Sequence, residues 1–173
     1  SIGRRTGALG GAGIVVASSA AALLTALAGS AGAATTLTVD STGDGLADAT
    51  HCTDGTPYNC TIRDAAAAAV DGDTITFEPS IANITLTNGT ITTQAVNITG
   101  PGAALLTIST NAAAGSYNIF EIRGVGDAIV SGITFTKNRL KVGNDGNFTL
   151  DSVTISGSSG GWGGGALYGS SWH

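Results

Sequence analysis

The residues of this chain that could do chemistry fall into a few groups, and the first is acidic. Asp40, Asp44 and Asp48 recur every four residues around Gly43 and Gly45. Calcium takes several oxygen ligands from loops of this kind, so these three carboxylates are the candidate cation site. The alternating acids and terminal Glu of an EF-hand are absent, and an acidic solvated turn is the default reading. The second group is Cys52 and Cys60, the only cysteines, with His51 beside them. In an oxidising compartment the thiols can pair, and closing so short a loop stabilises by roughly 2–3 kcal/mol on a chain-entropy estimate. The alternative is a metal site. His51, Cys52 and Cys60 would be its only soft ligands, one short of a closed zinc site, so the disulfide is favoured.

Two further patterns mimic catalytic motifs. Gly157-Ser158-Ser159-Gly160-Gly161 fits the nucleophile-elbow spacing Gly-x-Ser-x-Gly. It sits in a Gly/Ser-rich turn with no following helix and no internal His downstream. Gly161-Trp162-Gly163-Gly164-Gly165-Ala166 imitates a dinucleotide fingerprint, but it has no strand–helix–strand context. Neither carries a mechanism.

The elements that would position these residues follow from composition and periodicity. The chain has 173 residues, 42% apolar and 11% charged, with a formal charge of −5 and a mean hydropathy of +0.27. That apolar content excludes a disordered chain. Seven Lys and Arg against 12 acids give no electrostatic footprint for nucleic acid. Two cysteines do not make a disulfide-dense miniprotein. With 5% aromatics, the core must use small and β-branched side chains.

Residues 1–33 have the layout of an export signal: Arg4-Arg5, an uncharged Ala/Gly/Leu/Val stretch from Ala8 to Ala28, then the small-x-small triplet Ala31-Gly32-Ala33. A retained membrane anchor is the alternative, disfavoured by the many Gly, Ser and Thr. Losing the two arginines takes the charge from −5 to −7 in the mature chain. Export also supplies the compartment in which Cys52 and Cys60 pair.

Residues 34–73 read as an N-terminal cap. Thr35–Asp40 alternates as a strand, and a polar loop with the cysteines follows. A helix is expected over 62–70. Thr61 and Asp64 fit a capping box, and Ile62, Ala65, Ala66, Ala69 and Val70 form one apolar stripe. From residue 74 the pattern is short strands: Thr74–Phe77, Ile84–Thr87, Thr90–Thr92, Val96–Thr99, Leu105–Ser109, Ile119–Ile122, Ala128–Phe135, Leu140–Val142 and Asn147–Ile155. Gly, Asn, Asp and Pro punctuate them. Strand-plus-turn units recur at Val96–Gly100, Val130–Phe135 and Asp151–Gly157. Val153 lies 20 residues after Ile133, and a loop at Asn111–Tyr117 absorbs the longer step of 35 from Ile98 to Ile133.

Recurrence near 20 residues in short strands points to a solenoid. The expected fold is mainly β: a right-handed parallel β-helix with an N-terminal capping strand and a short α-helix. Coils would stack about 4.8 Å apart, with Ile, Val, Leu and Phe inward and Thr, Ser and Asn outward. Residues 74–173 would supply about four coils of roughly 22–25 residues each. Ile62 and Val70 would face the first coil, with Thr35–Asp40 alongside. An antiparallel sandwich is the alternative.

The run Cys60-Thr61-Ile62-Arg63-Asp64-Ala65-Ala66 resembles the Cys-Ser/Thr-Leu-Arg-Glu-Ala-Ile signature of the bacterial CSLREA domain. That domain caps secreted right-handed β-helix proteins related to polymorphic outer-membrane repeats. Thr38–Gly45 before the cysteines and Gly72–Phe77 after the helix match as well, as do Ile98–Gly102, Ser131–Thr134 and Gly163–Leu167. The similarity spans residues 36–168; Asp64 stands for Glu and Ile62 for Leu. Members of this family are often longer, so the resemblance implies an N-terminal portion of a larger protein, with more coils and an anchor beyond His173.

The function expected is a non-enzymatic, adhesin-like or structural protein, exported to the outer membrane, cell surface or medium, and presenting its surface to a glycan or surface protein. Trp162, Tyr168 and Trp172 could stack on sugars or pack against a further coil. No cofactor is implied beyond the calcium candidate, no nucleic acid, and no membrane contact except through the signal or an anchor. The alternative is a truncated carbohydrate-active enzyme, a polysaccharide lyase or glycoside hydrolase. Arg139-Leu140-Lys141 resembles the Arg-Ile-Lys of β-helix hydrolases, but no Gly-His-Gly accompanies it, and Asp127, Asp145 and Asp151 are spread through turns.

Overall fold

A computed structural model describes residues 33–111, 118–137, 139–158 and 167–169, with the backbone alone for Tyr168. Residues 1–32 of the expected signal, most of the Asn111–Tyr117 loop, Trp162 and Trp172 lie outside the described residues. In chain order the elements are β1 (Thr36–Val39), α1 (Ile62–Ala68), β2 (Thr74–Phe77), β3 (Asn83–Leu86), β4 (Ile91–Thr93), β5 (Asn97–Thr99) and β6 (Thr107–Thr110). They continue with β7 (Asn118–Ile122), β8 (Ala128–Ser131), β9 (Thr134–Thr136), β10 (Arg139–Val142), β11 (Phe148–Asp151), β12 (Thr154–Ser156) and β13 (Leu167–Gly169). The described residues are mainly β with little helix.

The strands form three sheets, ordered β1-β2-β5-β8-β11, β3-β6-β9-β12 and β4-β7-β10-β13. From β2 onward, successive strands visit the three sheets in turn, and every third strand returns to the same one. All described pairings are parallel. The antiparallel sandwich is therefore excluded.

Each strand alternates because each sheet has one dry face. Ile75, Ile98 and Val130 stand in register in the first sheet. Ile84, Ile108 and Phe135 do so in the second, and Ile91, Phe120 and Leu140 in the third. All nine are buried and belong to one core. Phe120 and Phe135 meet edge to face with ring centroids 6.1 Å apart, an arrangement the ring quadrupoles favour.

Two expected strands are each divided. Ala128–Phe135 breaks into β8 and β9 at Gly132, whose φ of 63° turns the chain from the first sheet to the second. Gly132 has a second reason to be glycine: a Cβ there would lie 2.6 Å from the carbonyl oxygen of Gly100. Asn147–Ile155 breaks likewise at Ser152, φ 54°. The expected alignment also shifts. Ile98 stands opposite Val130 rather than Ile133, because the connection from β5 to β6 is longer than the corner at Gly132 and absorbs part of the excess assigned to Asn111–Tyr117.

The helix is shorter than the 62–70 expected. Its stripe holds through Ile62, Ala65, Ala66 and the C-cap Ala69, all buried, and α1 packs against β4 and β1. At Ala69 the backbone turns extended, with φ −70° and ψ 142°. The Asp73 carboxylate then accepts the Val70 N–H at 2.9 Å. Val70 consequently points outward, 62% exposed, and only the Ile62 half of the expected contact forms.

Candidate functional site

The densest polar cluster surrounds the N-terminus of α1. Thr61 accepts from the Asp64 N–H and Asp64 accepts from the Thr61 N–H, which completes a capping box. A carboxylate at this position also opposes the positive end of the helix. Asp64 further accepts the Asp48 N–H at 2.7 Å and meets His51 Nδ1 at 3.2 Å. Cys52 and Cys60 form a disulfide with Cα atoms 4.6 Å apart, closing a loop that begins at the residue after His51.

Arg63 makes the second set of links. Its guanidinium donates to the Asp44 carboxylate at 2.7 Å and to the carbonyl oxygens of Gly89 and Thr90 at 3.1 and 3.2 Å. The Asp44 carboxylate also takes the N–H groups of Thr87 and Asn88 at 2.5 and 2.8 Å, and the Asn88 amide donates to the Asp44 carbonyl. One ion pair thus ties three segments together: the loop before the cysteines, α1, and the turn between β3 and β4.

The three carboxylates expected to share a cation are not brought together. Asp40 accepts the N–H groups of Tyr58 and Cys60, Asp44 serves Arg63 and the turn at 87–88, and Asp48 caps Thr50. The cause is the loop's own supply of backbone donors, each of which needs an acceptor. Among the described residues no group of three His, Cys, Asp or Glu side chains is placed to hold a metal ion. Cys52 and Cys60 are consumed by their mutual bond.

The electrostatics follow from these contacts. Partial burial disfavours ionised Asp44, but the Arg63 guanidinium and the Asn88 and Thr87 N–H groups outweigh it and hold the carboxyl below its ordinary value. Burial likewise opposes ionised Asp64 and is outweighed by the Asp48 N–H, the two Thr61 donors and His51, so it too is lowered. The hydrogen bond to Asp64 raises His51. The lowered carboxyls stabilise the fold above their ordinary value of 3.8, and that contribution is lost as pH falls through their folded values. Raised His51 has the opposite sign: its contribution is full below 6.5 and fades as pH rises through the raised value. A thermal melt followed across pH is expected to show greatest stability between these limits, with a steep acid limb and a shallow alkaline one. His51→Gln should flatten the alkaline limb and change the acid limb only slightly, since His51 contributes least among the groups that lower Asp64 and Asp44 does not depend on it.

A second charged group lies on the outer face of the third sheet and was not anticipated. Glu121 and Lys141 are register partners joined at 2.6 Å, and Arg123 meets the same carboxylate oxygen at 2.8 Å. Lys141, then desolvation in opposition, then Arg123 act on Glu121, and the result is a lowered pKa. Its sequence signal was a Glu and a Lys each at an outward position of a short alternating strand. Tyr168 falls opposite Lys141 in the register. Arg139 donates to the Asn118 side chain at 3.0 Å, a contact within one sheet face.

The other outer faces are dominated by hydroxyls. In the second sheet, Asn83, Thr107, Thr134 and Thr154 form one file across the strands, and Thr85, Ser109, Thr136 and Ser156 form the other. In the first sheet, Thr38, Thr76, Thr99 and Ser131 form a file ending at Asp151, and Thr38 and Thr76 share a hydrogen bond of 3.1 Å. These files are the candidate binding surface, since the reactive groups near α1 are engaged with one another. No family model, no curated protein and no solved structure matches this chain.

Proposed function

We propose that this chain is the N-terminal cap and first coils of a right-handed parallel β-helix, akin to the CSLREA-bearing proteins it resembles. Its role is exported and adhesin-like: the solenoid holds polar faces rigidly toward a glycan or a surface protein, and it performs no catalysis of its own. The observation that carries this reading is the cyclic visit of successive strands to three parallel sheets, a topology that stacks coils and leaves three outward faces. The Cys52–Cys60 disulfide fits an oxidising compartment. The α1 cluster, where Asp44 pairs with Arg63 and Asp64 with His51, fits a cap rather than a reaction centre.

The test has two arms. Residues 1–34 fused to a reporter should direct its export, with cleavage after Ala33. The purified chain should then bind components of a glycan or surface-protein array while releasing no unsaturated ends from polyuronates. A reporter retained in the cytosol refutes export, and lyase activity refutes the non-enzymatic role in favour of a carbohydrate-active enzyme.

A further inference from the structure

The basic side chains of this acidic chain are gathered on one face. We propose that the outward face of the β4-β7-β10-β13 sheet binds an acidic polysaccharide of uronate type, with one carboxylate per sugar. The proposal rests on the glycan-presenting reading and names the class of glycan. The chain carries a formal charge of −5, yet after Arg63 its remaining Lys and Arg are Arg123, Lys137, Arg139 and Lys141. Arg63 is spent on Asp44 and the turn after β3. Arg139 and Lys141 flank buried Leu140 on β10, so alternation puts both on the outer face. Arg123 extends the same row: its N–H continues the β7 ladder to the Thr93 carbonyl at 2.9 Å, two residues beyond Glu121. Lys137 is exposed at the corner that leads into β10. Among the described residues, no Lys or Arg occupies an outward strand position of the first or second sheet.

Glu121 does not cancel this row. Its side chain is 14% exposed, against 59% for Arg123 and 29% for Lys141, so the carboxylate is the least exposed of the three and both cationic heads stay open to solvent. With Arg139, the row holds three cations against one acid. Acids return at the corner beyond Arg123: Asp71 and Asp127 accept backbone N–H groups there, and Asp145 is exposed beside Gly124. Alternate residues lie about 6.7 Å apart along a strand, so one small anion cannot serve Arg139, Lys141 and Arg123 together, whereas anions repeated along a polymer can. A surplus of two charges suits one carboxylate per sugar; duplex DNA, with a charge about every 1.7 Å, is far denser. Thr92 and Asn118 share the face and give sugar hydroxyls neutral partners. Glu121 and Asn118 also hold Lys141, Arg123 and Arg139 in place, which lowers the cost of ordering long side chains on binding.

The test is surface plasmon resonance of the purified chain over immobilised polygalacturonate, dextran and duplex DNA, in about 0.1 M salt, where exposed charges more than ~10 Å apart are screened. The chain should bind polygalacturonate, less so as salt rises, and should not bind dextran. Arg123→Gln with Lys141→Gln should weaken binding about tenfold, through the loss of two exposed charge contacts. Thr85→Glu with Thr99→Glu lowers the net charge by the same amount at exposed positions of the other two sheets, and should change binding by less than about twofold. Circular dichroism on each variant separates loss of the face from loss of the fold. Equal weakening in the two double variants overturns the proposal, because net charge alone would then govern binding. Duplex DNA binding as tight as polygalacturonate also overturns it and gives the face to nucleic acid. Absence of binding to polygalacturonate overturns it too, and capture of neutral glycans by the same chain would leave the glycan-presenting role standing.

Discussion

An Arg63→Ala variant is expected to lose about 3 kcal/mol of folding stability, the lower part of the range for breaking a buried ion pair by removing one partner. The Arg63 and Asp44 side chains are 11% and 2% exposed, so the Asp44 charge would be left in a site that water scarcely reaches. The Thr87 and Asn88 N–H groups would still hold it, which keeps the loss from the upper part of that range. Two carbonyls, of Gly89 and Thr90, would lose their donor as well. Arg63→Lys retains the charge but lacks the fork that reaches three acceptors, and should recover only part of the loss. Denaturant titration measures both. Wild-type stability in Arg63→Ala would show that the loop, α1 and the β3–β4 turn are held together by other means.

Phe135→Ala should cost about 3–5 kcal/mol, the usual range for truncating a buried phenylalanine. Phe135 is fully buried, stands in register between Ile108 and Ile155, and packs edge to face on Phe120 from the third sheet. The ring thus joins two sheets across the interior, and alanine would leave a cavity that hydrogen-bonded strands on each side prevent from closing. Phe135→Leu should recover much of the loss. A change below about 1 kcal/mol for alanine, within the ordinary scatter of point mutants, would contradict a packed interior at this position.

Most strands were legible because alternation within a run such as Thr74-Ile75-Thr76-Phe77 depends only on which face is dry. Corners were less legible. Gly132 and Ser152 sit inside runs whose side-chain pattern continues across them, and only the backbone's positive φ divides each run. The helix end was misplaced for a related reason: Val70 fits the 3.6-residue period, yet the Asp73 carboxylate captures its N–H and turns it outward. The capping box at Thr61 and Asp64 was readable because its partners lie three residues apart. Asp44 was not, since its partners Arg63, Thr87 and Asn88 are distant in the chain, and a spacing of four between acids says nothing of which donors the fold will bring to each.

The outward faces, and every function assigned to them, exist only if successive strands wind through three parallel sheets. Nuclear Overhauser contacts between backbone protons measure this directly in solution. The account predicts contacts along the second sheet from Ile84 to Ile108, from Ile108 to Phe135 and from Phe135 to Ile155, in parallel register. Contacts pairing β5 with β6, or β8 with β9, as antiparallel neighbours would contradict it.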